Sequence, residues 1–170
     1  MVLFFDEFET PVGTMMAMSN GEHVVRLEYG TLEQFKKSRM NWLDQYFKNS
    51  EITHDPSYLE QVTREVNEYF QMKRKEFSFD FMLYGTSFQK KVWQALFDTI
   101  RFGDTKSYKD IANTIENPKA VRAVGGAVNK NPISIAVPCH RVIGANGKLV
   151  GYNGGLDKKT FLLEHESMKL

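Results

Sequence analysis

The sequence predicts an α+β fold in two modules, the first built on a small antiparallel sheet and the second mostly helical. Three observations carry that expectation. Strand-like runs broken by turn residues open the chain, capped helical periodicities follow its middle, and net charge changes sign across a Tyr84-Gly85 break. Leu3 to Glu9, Thr14 to Ser19 and His23 to Glu28 are rich in Phe, Met, Val and Leu and are separated by Pro11-Val12-Gly13 and Asn20-Gly21. Such runs between turn formers read as an antiparallel meander. Thr31 to Lys48 mixes aromatic and charged residues without a clean period and stays unassigned. From Ser57 to Lys75, Leu59, Val62, Val66, Tyr69 and Phe70 fall on one helical face behind a Ser57 cap. Phe77, Phe79 and Phe81 alternate and predict one more strand.

The second module, residues 85–170 after a first of 1–84, opens with a helix. Thr86 and Gln89 have capping-box spacing, and Phe88, Val92, Leu96 and Ile100 recur on one face up to Gly103. Ser107 begins a second helix, Tyr108 to Ile115, and Asn117-Pro118 supplies a cap and a first-turn proline for a third, Lys119 to Asn129. Two helices joined by so short a turn are either a helix-turn-helix or a pair of packed core helices, and spacing alone does not separate the two. A last short helix is entered at about Leu156.

Composition narrows the function classes. Of the 170 residues, 42% are hydrophobic and 25% charged, the mix of an ordinary globular chain rather than a disordered one. Acids at the N-terminus and charges in every apolar stretch predict no secretory signal and no membrane span. A soluble intracellular protein, cytoplasmic or nuclear in a eukaryote, is the expectation. With one cysteine, no intrachain disulfide and no zinc site built from several thiolates can form. The net charge of +1 argues against a strong overall positive field. Yet residues 1–85 hold 9 Lys/Arg against 14 Asp/Glu, a balance of −5, and residues 86–170 hold 13 against 7, a balance of +6. A basic half is a hint of nucleic-acid contact.

Two segments of that half carry chemistry. The third helix contains Ala120, Ala123, Gly125, Gly126 and Ala127, with Arg122 its only long interior cation. Consecutive glycines inside a helix cost about 1 kcal/mol each against alanine. Such bareness permits close backbone approach, either to another helix or to a nucleic-acid groove. After it, the apolar run Ile133 to Val137 reads as a buried extended segment stopped by Pro138, with Cys139 and His140 directly behind. A cysteine so placed is either an activated nucleophile or a small buried hydrophobe. As a nucleophile it needs a basic neighbour to raise its thiolate fraction, and adjacent side chains reach one another only through a turn or a water. Glu164 and Glu166 are the acids available to orient the imidazole.

Pro138-Cys139-His140-Arg141-Val142 follows, in order, Phe88-Gln89-Lys90-Lys91-Val92-Trp93, Ser107-Tyr108, Asn117-Pro118-Lys119-Ala120, Arg122 to Ala127 and Asn131-Pro132, and precedes Tyr152-Asn153-Gly154-Gly155-Leu156. In these motifs, over residues 85–166, the chain resembles the O6-alkylguanine-DNA alkyltransferases, the methylated-DNA–protein-cysteine methyltransferases. The resemblance implies a ribonuclease-H-like N-terminal module packed on a winged-helix-like DNA-binding domain. It implies repair of duplex DNA by irreversible, stoichiometric transfer of an alkyl group from O6 of guanine, and less readily O4 of thymine, to Cys139. Cofactors and metals are not implied, nor is an obligate protein partner, and the expected state is a monomer.

Roles follow from the same resemblance. Cys139 is the nucleophile, His140 its base through a water, and Glu166 the group that orients the imidazole. Tyr108 protonates the departing guanine, Asn131 braces the helix-turn-helix against the active-site strand, and Arg122 fills the gap left by the flipped base. Val142, Tyr152, Asn153 and Gly154 line the pocket, and Gln89, Asn117, Ala120, Ala123 and Gly125 join Arg122 on DNA. Asn153 stands where relatives often carry serine, which bears on hydrogen bonding to the substrate oxygen. His23 and His54 are the only histidines of the first half, so the structural zinc of some relatives is not expected. The alternative is a non-catalytic helix-turn-helix regulator or lesion-flagging protein with a structural cysteine.

Overall fold

The structure, a computed structural model, describes residues 1–168 and divides into two compact units, Met1–Tyr84 and Gly85–Leu170. In the first, β1 (Val2–Thr10), β2 (Gly13–Ser19) and β3 (Val24–Tyr29) form the meander that the turn residues dictate, with Phe4 opposite Ser19 and Met16 opposite Glu28. A fourth strand, β4 (Glu51–His54), pairs parallel to β1 and gives the order β3-β2-β1-β4. Only four residues long and half-exposed, β4 lacks the apolar alternation that would mark it in sequence.

The unassigned segment is a helix, α1 (Leu32–Tyr46). Its start is set by a capping box, Thr31 accepting from the Gln34 amide and the Gln34 side chain from the Thr31 amide. Its apolar face is narrow, with only Phe35 and Leu43 buried, and the backbone kinks at Arg39. Those two residues and Phe47 pack with Leu3, Met16, Met18 and Val25 from alternate positions of the sheet. Beneath them the buried Arg26 guanidinium lies 4.8 Å from the Trp42 ring and pairs with Glu28 at 2.9 Å.

Helix α2 (Glu60–Phe70) buries Val62, Val66 and Tyr69, and Leu59 just before it is buried too, while Phe70 is half-exposed. Two details differ from the sequence reading. Asp55, not Ser57, supplies the cap, and it caps a separate 3₁₀ turn over Pro56–Tyr58. The helix stops at Phe70 rather than Lys75 because Met72 takes a positive φ of 60°. Nor is 77–81 a strand: one bridge, Val24 to Phe81, is all it makes. Its three phenylalanines alternate because they stack edge to face, with ring centroids 5.9 and 6.0 Å apart.

In the second unit, α3 (Ser87–Thr99) starts at the Thr86–Gln89 capping box and buries Val92, Trp93, Ala95 and Leu96. Trp93 donates its indole N–H to the Ala127 carbonyl at 2.7 Å, tying α3 to α5 (Val121–Val128). A Cβ on Gly85 would fall 2.5 Å from the Trp93 ring, so glycine is required beside it. Between these helices lie β5 (Lys106–Ser107) and α4 (Tyr108–Thr114), whose cap is Ser107 with Asp110. Helix α5 begins later than the sequence suggests. Asn117-Pro118 initiates a turn closed by the Ala120 amide on the Asn117 carbonyl at 3.0 Å, and Ala120 is the uncapped first flank of the helix. The chain then reaches β6 (Val142–Ile143), parallel to β5, and α6 (Leu156–Ser167). No helix among the described residues is long and apolar enough to cross a membrane.

The cap at Thr31 gives a stability test. Thr31→Ala should lower unfolding stability by about 0.5–2 kcal/mol, read as a lower urea midpoint at unchanged slope.

Candidate functional site

Every residue from Asn131 to Val142 is buried, yet Ile133 to Val137 is not the extended run its apolar composition predicts. It folds into tight turns, the Val137 amide donating to Ile133 O at 3.0 Å and the Ala136 amide to Ser134 O at 2.8 Å. Ile135 sits at φ 70°, a region in which a β-branched residue is strained. The Asn131 amide holds this turn together. Its Oδ1 accepts from the Ile133 amide at 3.0 Å, and its Nδ2 lies 2.7 Å from Val137 O and 3.0 Å from Cys139 Sγ. Pro138 then admits a 3₁₀ turn, Cys139–Arg141, which points three functional side chains inward in succession.

His140 is fully buried, and its Nε2 lies 2.6 Å from Glu166 Oε2 on α6. Of the two candidate acids, Glu166 is the buried one and Glu164 is exposed. Nδ1 of His140 has no hydrogen-bond partner among the described residues, so no direct bond joins the imidazole to its neighbour's sulfur. Arg141 completes the cluster with Nε on Glu166 Oε1 at 2.6 Å, Nη2 on Oε2 at 3.1 Å and Nη1 on the Ile100 carbonyl at 2.8 Å.

Burial governs the protonation states. It pushes the Cys139 thiol up, against hydrogen bonds from Asn131 and Tyr152 and the charge of Lys159. The resting sulfur is therefore a thiol, where the sequence led us to expect a larger thiolate fraction. Burial also pulls His140 below the ordinary imidazole value despite Glu166, so the ring is neutral at rest. For Glu166, burial works upward, but the hydrogen bonds of His140 and Arg141 and the charge of Arg141 outweigh it and hold the carboxyl well below the usual range. Tyr108 is pushed up by burial, which keeps the phenol protonated.

The remaining expected residues divide. Tyr108 Oη donates to the Val150 carbonyl at 3.1 Å, Tyr152 bonds to Cys139, Val142 is buried, and Asn153 and Gly154 follow in the exposed to half-buried stretch before α6. Arg122 and Ala123 are exposed on α5. A Cβ on Gly126 would meet nothing within 4 Å and one on Gly125 only the Tyr108 ring at 3.9 Å, so packing does not demand either glycine. Gln89 accepts a hydrogen bond from the Thr86 amide on its side-chain oxygen, and Asn117 sits at the turn before Ala120. Among the described residues no group of three or more His, Cys, Asp or Glu could hold a metal ion.

Sequence reasoning missed two residues. Arg141 was read only as part of a motif. Lys159 is 0% exposed, with Nζ 2.6 Å from Val142 O and 3.2 Å from Val150 O. Its spacing from Leu162 and Glu166 on α6 places it on the buried helical face and could have found it.

Comparison with known proteins places this geometry. Residues 87–168 match the DNA-binding domain of 6-O-methylguanine DNA methyltransferase, and residues 4–83 match its ribonuclease-like domain. The chain is 43% identical to the methylated-DNA–protein-cysteine methyltransferase of Methanosarcina acetivorans, over 96% of this chain and 98% of that one. It is 50% identical to the inducible enzyme of the same name from Bacillus subtilis, over 74% and 69% of the respective lengths. The crystal structure of Mycobacterium tuberculosis OGT in complex with DNA superposes with a TM-score of 0.82 at 40% identity, covering 96% of this chain and 92% of that one.

The buried carboxylate gives a pH test. Because its folded value is depressed, Glu166 contributes stability that is complete above about pH 4.3, its unfolded value, and is lost as pH falls below it. Glu166→Gln should lower stability at neutral pH and lose less than wild type on further acidification, measured by urea midpoints at pH 7, 5 and 3.5.

Proposed function

The chain belongs to the 6-O-methylguanine DNA methyltransferase family, and from that premise we propose that it repairs duplex DNA by moving an alkyl group from O6 of guanine, and less readily O4 of thymine, onto Cys139. The observation that carries this assignment is His140, held by Glu166 at 2.6 Å on one nitrogen and without a partner among the described residues on the other, in the residue after the sole cysteine. Residues 1–84 form the ribonuclease-like domain in this reading and residues 85–170 the DNA-binding and transfer domain. The protein acts as a monomer inside the cell and uses no cofactor.

The alkylated atom is inaccessible inside a duplex, so the nucleotide must flip out at a cost of a few kcal/mol. Helix α5 suits that task. Its exposed face is nearly free of side-chain bulk, and Arg122, exposed and without an ion pair among the described residues, fills the vacated place in the stack. Asn117, Ala120, Ala123 and Gly125 keep the backbone near the minor groove, while Gln89 supports the adjoining end of α3. The flipped base enters between Val142 and the Tyr152-Asn153-Gly154 loop, where Asn153 takes the place of a hydroxyl as donor to O6.

Transfer begins from a neutral pair. The Cys139 proton passes through a water to His140 Nδ1, and Glu166 stabilises the imidazolium that forms. The thiolate attacks the alkyl carbon, the S–C bond forms as the C–O6 bond breaks, and the electron pair stays on guanine. Tyr108 gives its proton to N3, and the proton released by Cys139 replaces it, so no net proton is gained or lost. The thioether persists, and each molecule acts once.

Mass spectrometry after incubation with an O6-benzylguanine oligonucleotide should show one adduct per molecule, on Cys139. Cys139→Ser should bind DNA and transfer nothing; absence of any adduct on the wild-type protein, or transfer by the variant, refutes the assignment. Arg122→Ala should slow repair of duplex substrates more than reaction with the free modified base. Equal losses on both would remove Arg122 from the flipping step.

A further inference from the structure

The Val150 carbonyl is shared by two donors. Tyr108 Oη reaches it at 3.1 Å from α4 and Lys159 Nζ at 3.2 Å from α6. The same ammonium donates to Val142 O at 2.6 Å, and among the described residues no carboxylate pairs with it. A buried ammonium without a counter-charge is costly, so its hydrogen bonds must fix something of value to the fold or the reaction. Val142 closes the turn that carries Cys139, and Val150 lies within the 144–155 loop. One side chain therefore joins the nucleophile's turn to the loop that faces it.

Tyr108 is the donor that has to leave. A phenol has one O–H, and a hydroxyl that protonates the departing base cannot also hold Val150. We propose that Lys159 is a positioning residue that keeps the 144–155 loop seated on the Cys139 turn when Tyr108 exchanges Val150 for the substrate. Charge supports the same arrangement. Burial lowers the lysine's pKa, whereas negative charge on Cys139 raises it, so the ammonium is favoured further once the thiolate forms.

The inference rests on the repair reading only for the moment at which Tyr108 lets go, and the loop can be observed without substrate. Hydrogen exchange on the full-length protein, on Lys159→Met and on Tyr108→Phe makes the test. Loop amides of 144–155 should exchange about tenfold faster in Lys159→Met, with α3 and α5 unchanged, and should be little altered in Tyr108→Phe. The saturating transfer rate on duplex substrate should fall by about a hundredfold in Lys159→Met, with the half-saturating DNA concentration unchanged. Uniformly faster exchange in both units, or a wild-type loop and rate in Lys159→Met, overturns the proposal. If Lys159→Met does not fold, Tyr108→Phe decides alone, since a loop that opens there is held by Tyr108 and not by the lysine. A wild-type protein that forms no adduct would sink the repair reading and leave the exchange result standing.

Discussion

Between Asn131 and Val142 every residue is buried, so most polar groups there must find partners inside the protein. The Asn131 side chain meets part of that demand, bonding Ile133 N, Val137 O and Cys139 Sγ. Pro132 and Pro138 reduce it further, because neither has an N–H to satisfy. The turn so held keeps Ile135 in a backbone region that costs about 1–3 kcal/mol. The Cys139 sulfur is thus one acceptor in a network that makes a strained turn possible. Loss of the Asn131 amide would displace the sulfur and the turn together.

The same economy governs the charges. Glu166 alone could not stay ionised at this depth, and breaking a buried ion pair by removing one member costs about 3–5 kcal/mol. Arg141 occupies both carboxylate oxygens and in turn reaches the Ile100 carbonyl at the end of α3. His140 then finds a fixed anion at one nitrogen and, among the described residues, no partner at the other. The carboxylate that would stabilise an imidazolium during transfer is therefore also the one that joins α6 to the Cys-His-Arg turn. A residue serving two ends in this way reads in mutagenesis as both a stability and an activity defect.

Elements with strong local signals were legible in the sequence: the three-strand meander from its turn residues, α3 from its capping box and α4 from the Ser107 that begins it. Thr31 and Gln34 carried an equally good box, but Phe35 and Leu43 alone made too narrow an apolar stripe for α1 to be read. β4 and the 77–81 segment failed for a different reason. Whether a short run pairs with a sheet depends on distant partners: Glu51–His54 finds β1, whereas Phe77, Phe79 and Phe81 satisfy one another. At the site, Cys139, His140 and the tyrosine and asparagine around them were visible as a motif. Lys159 and the full role of Arg141 were not, because a long cation on a helix or turn ordinarily faces water, an expectation that outweighs the spacing of Lys159 from Leu162 and Glu166.

A protein that acts once has no need to regenerate its nucleophile, and the resting state is consistent with that. Burial keeps the sulfur protonated and 3% exposed, so adventitious electrophiles meet a neutral and shielded thiol. In the proposed reaction its reactivity depends on proton removal by His140, itself neutral, within a cluster where Glu166 and Arg141 already cancel. What remains is the positive charge of Lys159, paired with carbonyl oxygens rather than with an acid. The site therefore carries, before anything binds, the countercharge for the anion that its chemistry creates on sulfur. The division of the sequence into a −5 half and a +6 half follows the same logic at larger scale. Positive charge is concentrated in the half that matches the family's DNA-binding domain, where its effect on phosphate is strongest at low salt and fades as counterions compete, so that in the proposed reaction recognition depends on the bare face of α5 and the fit of the flipped base more than on charge alone.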